Sequence, residues 1–519
     1  MNKFIDSLYK YAEEKPTSTL ITIDGISITY GEFKEYTEKI SMSLNTLGIS
    51  ENKKVGLIIP NSLQWYKIFW SAIRIGAQPV PVDPQSGELE LNRLLDITDM
   101  EVCFIACKYR NNNILNTVKS IIEKHSNIKH IIVIDSICTD FDTPKFMTYE
   151  KFVGLGEGKT LSQVYNVDDE HVMSLACTSG STGNPKILSV PYNGFYDAIK
   201  DISDYLEFDS FDTMMIGMPL YHQGGFGMGM QVVVKGGNVI YQPQFEPMEF
   251  LKTVAQKKVT VIQLTSTLAK ILLSVPDFYS YDMSSVKVCY FAGEVLPKEI
   301  AKIFVEKLNI RVINVIGSSE TATMVVWDSE NDYDTDPSDF RELPFTKVRV
   351  LDENDNEVDT GTAGELCIYT SAVIFNYYKN DYESAAKVIN FDNKRWFKTG
   401  DLVEKLNDGR IRFVGRSKRI IKRGANLVHA EEVESFLLSY PKIQAVAVTA
   451  EDHPIIGQQI VAYIQSVGGQ NVTRGELARY FDGKMSAYKL PDKIILTEDL
   501  PKDIGKIQFK YIRHDICVF

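Results

Sequence analysis

The segment Cys177-Thr-Ser-Gly-Ser-Thr-Gly-Asn-Pro-Lys186 concentrates the residue types that hold polyphosphate. From Thr178 onward it contains four hydroxyl residues (Thr178, Ser179, Ser181, Thr182), two glycines (Gly180, Gly183) and Lys186. Glycines let a backbone turn tightly and aim N–H groups inward. Hydroxyls add short donors, and a lysine adds positive charge. The stretch is not a P-loop, which would read GxxxxGK[ST]; here Asn-Pro follows Gly183. Alone, it also fits a Ser/Gly-rich surface loop.

Further segments change that balance. In chain order they are Met218-Pro-Leu-Tyr-His-Gln-Gly-Gly-Phe-Gly227, Ala292-Gly-Glu-Val-Leu-Pro297 and Asn314-Val-Ile-Gly-Ser-Ser-Glu-Thr321. Gly364-Glu-Leu-Cys-Ile368 and Thr399-Gly-Asp-Leu402 follow, then Gly415-Arg-Ser-Lys-Arg-Ile-Ile-Lys422 with Glu431-Glu-Val-Glu434, and finally Pro501-Lys-Asp-Ile-Gly-Lys-Ile507. With the phosphate loop, this series resembles the ANL superfamily of adenylate-forming enzymes: acyl- and aryl-CoA synthetases, adenylation domains of nonribosomal peptide synthetases, and firefly luciferase. The resemblance covers nearly the whole chain. It departs at Ile187, where the family usually has Gly after the lysine.

The resemblance implies attack of a carboxylate on the α-phosphorus of ATP, giving an acyl-adenylate and pyrophosphate. An anion then attacks a polyanion, so cations and N–H donors must stabilise the charge that builds. Lys506 would meet the carboxylate and α-phosphate. Glu320, with Thr182, would hold Mg²⁺, which favours one or two carboxylates plus phosphate oxygens and waters. Asp401 and Arg416 would bind the ribose. Gly293, Glu294 and Val295, with Ile316, Gly317, Ser318 and Ser319, would form the adenine slot. Ile316 stands where the family commonly has Tyr, so aliphatic contact would replace aromatic stacking and weaken ATP binding.

The same resemblance places His222 beside the reacting carboxylate and makes Gly225, Phe226, Gly227 and Met228 an acyl pocket. Gly224, Gly225, Gly227 and Gly229 are expected to leave volume for the substrate. Amino-acid-activating members carry an Asp in this segment; Leu220 to Gly227 has no acid. An unpaired buried ammonium is costly, which disfavours a free α-amino acid. A medium- or long-chain fatty acid is preferred, with an aromatic acid close behind. In a second step the acyl group passes to a thiol as a small domain turns about a hinge, here Lys418, bringing up the Lys422, Gly424 and Ala425 loop. Ala425 replaces the family's second glycine, and Thr370, Ser371 and Asn376 replace a usual Gly-Pro and Gly. Thirteen residues follow Lys506, which predicts free CoA or a separate acyl carrier protein as acceptor. A catalytically impaired ATP-binding relative is the alternative from another class.

The elements that must position these residues can be read from periodicity. Helical spacing covers Phe4–Glu13, Tyr30–Leu47 and about Ser62–Ile75. Strand-sized apolar runs lie at 55–60, 77–82, 101–106, 130–135, 213–217, 259–263 and 286–291. Such alternation predicts an α/β domain with mostly parallel sheets. Turn chemistry at 352–357, 359–361 and 407–409 predicts a β-rich subdomain over about 345–416. The last hundred residues read as a small α+β domain, giving a division at 1–416 and 417–519, and the resemblance implies that this domain is mobile.

Composition bounds the rest. A chain of 519 residues exceeds one core. Hydrophobic residues at 44% and charged residues at 24% exclude a wholly disordered chain. A net charge of −12 argues against sequence-blind nucleic-acid binding. The first residues lack the apolar stretch of a signal peptide, and no run approaches a membrane span. Seven scattered cysteines are expected to be reduced, structural thiols of a cytoplasmic protein, without a zinc site.

Overall fold

The computed structural model describes residues 2–135, 144–159, 164–178, 185–293, 296–416, 420–424, 426–498, 500, 502–503 and 506–507. The chain divides into two compact units. One comprises Met1–Pro84, Leu95–Cys177 and Ile187–Gly415; the other comprises Gln85–Leu94, Thr178–Lys186 and Arg416–Phe519.

The first unit begins with helices whose starts are fixed locally. Helix Tyr30–Thr46 opens on a capping box in which Thr29 and Glu32 satisfy each other's backbone N–H groups. Gly48 follows its end at φ +80°, a conformation glycine adopts without a Cβ penalty. Helix Leu63–Arg74 starts at Ser62, whose side chain accepts from Trp65 N–H. Five strands, in the order Gln78–Pro81, Lys54–Ile58, Met100–Ile105, His130–Val133 and Phe146–Thr148, form an all-parallel sheet.

The larger sheet carries the site. Its relevant elements are β1 (Lys186–Pro191), which pairs with Val172–Thr178 in a separate two-stranded sheet, α1 (Tyr192–Tyr205), β2 (Thr213–Ile216), α2 (Gln223–Val233), β3 (Asn238–Tyr241), β4 (Val261–Leu264), β5 (Val288–Ala292), β6 (Arg311–Ser318), β7 (Ala322–Asp328), β8 (Ala363–Tyr369) and β9 (Lys394–Lys405). Strands β3, β2, β4, β5 and β6 lie side by side and parallel, and β7 returns antiparallel to β6. The sequence from 339 to 416 continues the same fourteen-stranded sheet through Asp339–Glu342, Ile411–Arg416, β9, β8 and Lys347–Leu351. All five parallel strands end toward one edge. That edge is where α/β sheets place ligands.

Helix α2 covers the sheet. Its Phe226 is 3% exposed and packs against Phe69 (ring centroids 4.6 Å), Trp70 (5.7 Å), Trp65 (5.8 Å) and Phe195 (6.3 Å). Burying each such side chain contributes about 1.5–3 kcal/mol before conformational entropy is charged.

The second unit is α+β. Strands Asn426–His429, Ile420–Arg423, Gly457–Ser466 and Ile443–His453 form a sheet, with Lys493–Leu496 parallel to Gly457–Ser466. Helix Ala430–Leu438 and helix Arg474–Phe481 bury Val433, Leu437, Leu477 and Phe481 against it. Lys489 is buried in this unit, 2.8 Å from Glu432 and 2.6 Å from Glu90.

Cys103, Cys177, Cys289 and Cys367 are free thiols. Cys107 is disulfide-bonded, which corrects the expectation of seven reduced cysteines: periodicity places Cys107 at the end of a buried strand but says nothing of a covalent partner. Among the described residues, no helix is long and apolar enough to cross a membrane.

Candidate active site

Three short segments follow the carboxyl ends of the parallel strands. Gly217–His222 follows β2, Gly293 follows β5, and Ser319–Glu320 follows β6. Register keeps the strand ends level: Ile216 pairs with Gln263, Gln263 with Tyr290 and Tyr290 with Ile313.

The turn after β2 is clamped from both sides. Asn61 Oδ1 accepts from Leu220 N–H at 2.8 Å, and Asn61 Nδ2 donates to the Gln242 carbonyl at 2.8 Å. Gln263 Oε1 accepts from Met218 N–H at 3.2 Å. His222 is the N-cap residue of α2, and its ring lies 4.9 Å from that of Tyr221. Burial lowers the His222 pKa below its ordinary value, with Asp83 partly opposing, so the imidazole is neutral at pH 7.

The glycines of α2 do not leave open volume. A Cβ on Gly225 would lie 2.1 Å from the Pro219 carbonyl oxygen. On Gly229 it would lie 2.2 Å from the Tyr241 hydroxyl, which itself donates to the Gly225 carbonyl at 2.9 Å. On Gly227 it would meet Phe195 at 3.1 Å. Gly224 alone of the four is exposed, with only the Met218 side chain near, at 3.3 Å. The expectation of substrate volume along this face is therefore corrected: these glycines admit other parts of the protein. Phe226 and Met228 are buried.

Glu320 stands in the β6–β7 turn. Tyr377 donates its hydroxyl to Glu320 Oε1 at 3.0 Å, and Ile374 N–H donates to the Glu320 carbonyl at 2.9 Å. Burial and the adjacent Glu320 carboxylate push the Tyr377 pKa far above its ordinary value, so it stays a donor. Glu320 Oε2 takes no hydrogen bond among the described residues, leaving one hard oxygen that fits a Mg²⁺ ion. Ser318 and Thr321 hydroxyls bond at 3.0 Å, and Ala322 sits at φ +58°, an uncommon value for a residue with a side chain. A bulge between Ile316 and Gly317 breaks the β6–β7 register beside the half-buried Ile316. Gly293 has φ +85°, with no atom of the other described residues within 4 Å of where a Cβ would stand, its chain neighbours aside.

The residues that replaced the usual Gly-Pro and Gly are braces. Thr370 Oγ1 donates to the Thr321 carbonyl at 2.9 Å, Ser371 Oγ donates to the Gly194 carbonyl at 3.0 Å, and Ser189 Oγ donates to Asn376 Oδ1 at 2.8 Å. They tie the stretch after β8 to the Glu320 turn, to α1 and to β1. Sequence reading missed Tyr377, Asn61 and Gln263; their only signal was a polar residue beside or within an apolar run.

Asp401 lies in β9, 3% exposed, after Gly400 at φ +78°. Thr399 Oγ1 donates to the Leu366 carbonyl at 2.9 Å and accepts from Asp401 N–H at 3.0 Å, which fixes the turn. Cys177, just before the phosphate loop, has its thiol pushed up to about 12 by burial, so it is not a thiolate nucleophile.

In the second unit, the Thr178 hydroxyl donates to the Lys186 carbonyl at 3.4 Å. The remaining loop residues Ser179, Gly180, Ser181, Thr182 and Gly183, together with Glu294, Val295, Lys418 and Ala425, lie outside the described residues. Arg416 ends strand Ile411–Arg416. Lys422 N–H donates to Gln458 Oε1 at 2.8 Å, and Gly424 has φ +60° with its N–H on the Ile456 carbonyl at 2.7 Å. The Lys506 backbone pairs with Asp503 in a two-residue strand.

Comparison with known proteins bears on the family and the fold. The family model for AMP-binding enzymes matches residues 8–378, and the model for the AMP-binding enzyme C-terminal domain matches residues 432–505. The provisionally named acyl-CoA synthetase YngI of Bacillus subtilis (strain 168) is 28% identical over 506 residues, covering 93% of this chain and 91% of that protein. The mitochondrial medium-chain acyl-CoA ligase ACSF2 of Homo sapiens is 25% identical over 509 residues, covering 93% of this chain and 82% of that protein. In fold, the amide bond synthetase McbA from Marinactinospora thermotolerans superposes with a TM-score of 0.84 at 17% identity, covering 98% of each chain.

Proposed function

This chain belongs to the family of AMP-binding enzymes, and from that premise we propose that it activates a carboxylic acid with ATP and passes the acyl group to CoA. The enzyme class is that of an AMP-forming acid–CoA ligase. The observation that carries the reading is that the His222 turn, Gly293 and the Glu320 turn all follow the carboxyl ends of parallel strands in one sheet.

The residues divide the work by chemistry. Lys186 and the hydroxyls and N–H groups from Thr178 to Gly183 cradle the phosphates. Gly293, with its open Cβ direction, and Ile316 receive the adenine, and Asp401 with Arg416 orients the ribose. Glu320, with Thr182, holds Mg²⁺, which supplies positive charge against the phosphate oxygens. His222, neutral at pH 7, offers the carboxylate a hydrogen-bonding group without ion-pairing it so tightly that attack is slowed. Lys506 supplies the cation for adenylation. Lys418, Lys422, Gly424 and Ala425 serve acyl transfer.

The acid is a fatty or aromatic one without an ammonium group, since the His222 segment offers no carboxylate to pair it. Filling of the α2 glycine face by Pro219, Phe195 and Tyr241 favours a medium chain or an aromatic ring over a long chain. ATP–pyrophosphate exchange across a panel of carboxylic acids, followed by thioester detection with and without CoA, tests this. Exchange without a CoA thioester would redirect the second step to a carrier protein; exchange with no acid would end the reading.

A further inference from the structure

Gln263 is fully buried at the penultimate position of β4, where β2, β4 and β5 end together. Its backbone carbonyl accepts from Gly217 N–H at 3.1 Å, and its side-chain Oε1 accepts from Met218 N–H at 3.2 Å. Both bonds go to the turn that leads into His222. The other end of the amide is unmatched: Nε2 has no hydrogen-bond partner among the described residues. A buried amide N–H₂ without an acceptor is disfavoured, and native proteins leave few such groups. Its anchored Oε1 fixes the amide next to the segment proposed to receive the acid. Of its two row neighbours, Ile216 is apolar, and Tyr290 has a hydroxyl that Nε2 does not bond.

We infer that Gln263 is a specificity-determining residue that donates to an acceptor oxygen on the acid's chain or ring, so the preferred substrate is a hydroxy-, keto- or otherwise oxygen-substituted carboxylic acid. The inference rests on the acid-activating reading above and narrows its substrate class. A plain hydrocarbon acid would leave the Nε2 donor unpaired in the closed complex. A substrate oxygen in reach would pair it, and sites built this way discriminate strongly against analogues that lack the oxygen.

The test uses the full chain and matched acid pairs of equal length, such as octanoate with its hydroxy and keto derivatives and benzoate with the hydroxybenzoates. The readout is kcat/KM in ATP–pyrophosphate exchange. The expected result is a preference of about tenfold or more for an oxygenated member over its plain counterpart, falling to near unity in Gln263→Leu. Gln263→Glu, which keeps an acceptor for Met218 N–H while removing the amide donor, gives the same fall and serves if Gln263→Leu does not fold. Equal use of plain and oxygenated acids by the native chain overturns the inference alone, as does a preference that survives both substitutions. No exchange with any acid overturns the activation reading and this inference with it.

Discussion

Tyr377 holds Glu320 from one side, its hydroxyl 3.0 Å from Oε1, so that the carboxylate presents its second oxygen at the end of β6. The two residues are far apart in sequence. They meet because Phe375 N–H bonds to the Ser189 carbonyl at 2.9 Å and Tyr378 N–H to the Ile187 carbonyl at 2.7 Å, laying the stretch after β8 along β1.

This pairing predicts graded effects on metal use. Tyr377→Phe removes one neutral-to-charged hydrogen bond and is expected to lower kcat/KM for ATP by about fivefold, with a higher Mg²⁺ requirement. Glu320→Gln is expected to cost about a hundredfold. Pyrophosphate exchange titrated with Mg²⁺ checks both; an unchanged Mg²⁺ dependence in Glu320→Gln would remove its assigned role.

The α2 glycines predict a contrast in stability. Gly225→Ala drives a methyl into the Pro219 backbone and is expected to cost about 3 kcal/mol, because backbone cannot yield as a side-chain tip can. Gly224→Ala meets only the flexible Met218 side chain and is expected to change stability by less than about 1 kcal/mol. Urea denaturation of the two variants measures the difference.

Those glycines also mark the limit of the sequence reading. Hydrophobic period locates β2, β4 and β5 to within a few residues, because a buried parallel strand is a short apolar run. The chemistry-bearing turns follow from where those runs stop. A glycine, by contrast, says only that something comes close. Whether that is a ligand or Tyr241 depends on long-range packing that one sequence does not encode locally. Tyr377 was hidden for the same reason, since its meaning comes from a pairing with β1 nearly two hundred residues earlier.

Stability is expected to fall as pH drops below neutrality. His222, His171 and His130 each have pKa values lowered from 6.5, chiefly by burial. Below pH 6.5 the unfolded chain binds protons that the folded chain does not, so unfolding becomes easier until the lowered folded values are reached. His222→Asn is expected to lose less stability than the native chain between pH 7.5 and 5.5. Denaturant midpoints at the two pH values check the sign.

Lys489 predicts a large effect in the second unit. Its side chain is 4% exposed and bonded to Glu432, which is buried, and to Glu90, which is partly buried. Lys489→Met leaves two carboxylates without their cation and is expected to cost about 3–5 kcal/mol. Adding Glu432→Gln to that variant removes one stranded charge and is expected to restore part of the loss. A double-mutant cycle in guanidinium chloride measures the coupling; additive losses would show that the ion pair contributes nothing.

Ile316 predicts a gain. It is half-buried at the bulge that precedes the Glu320 turn, where an aromatic ring could lie flat against a base but an aliphatic side chain offers only its edge. Stacking of a base on an aromatic face is worth about 1 kcal/mol or more. Ile316→Tyr is therefore expected to lower the KM for ATP by about fivefold while leaving the KM for the acid nearly unchanged. Initial rates of pyrophosphate exchange at varied ATP measure it, and a KM for ATP that rises in the variant would place the adenine elsewhere.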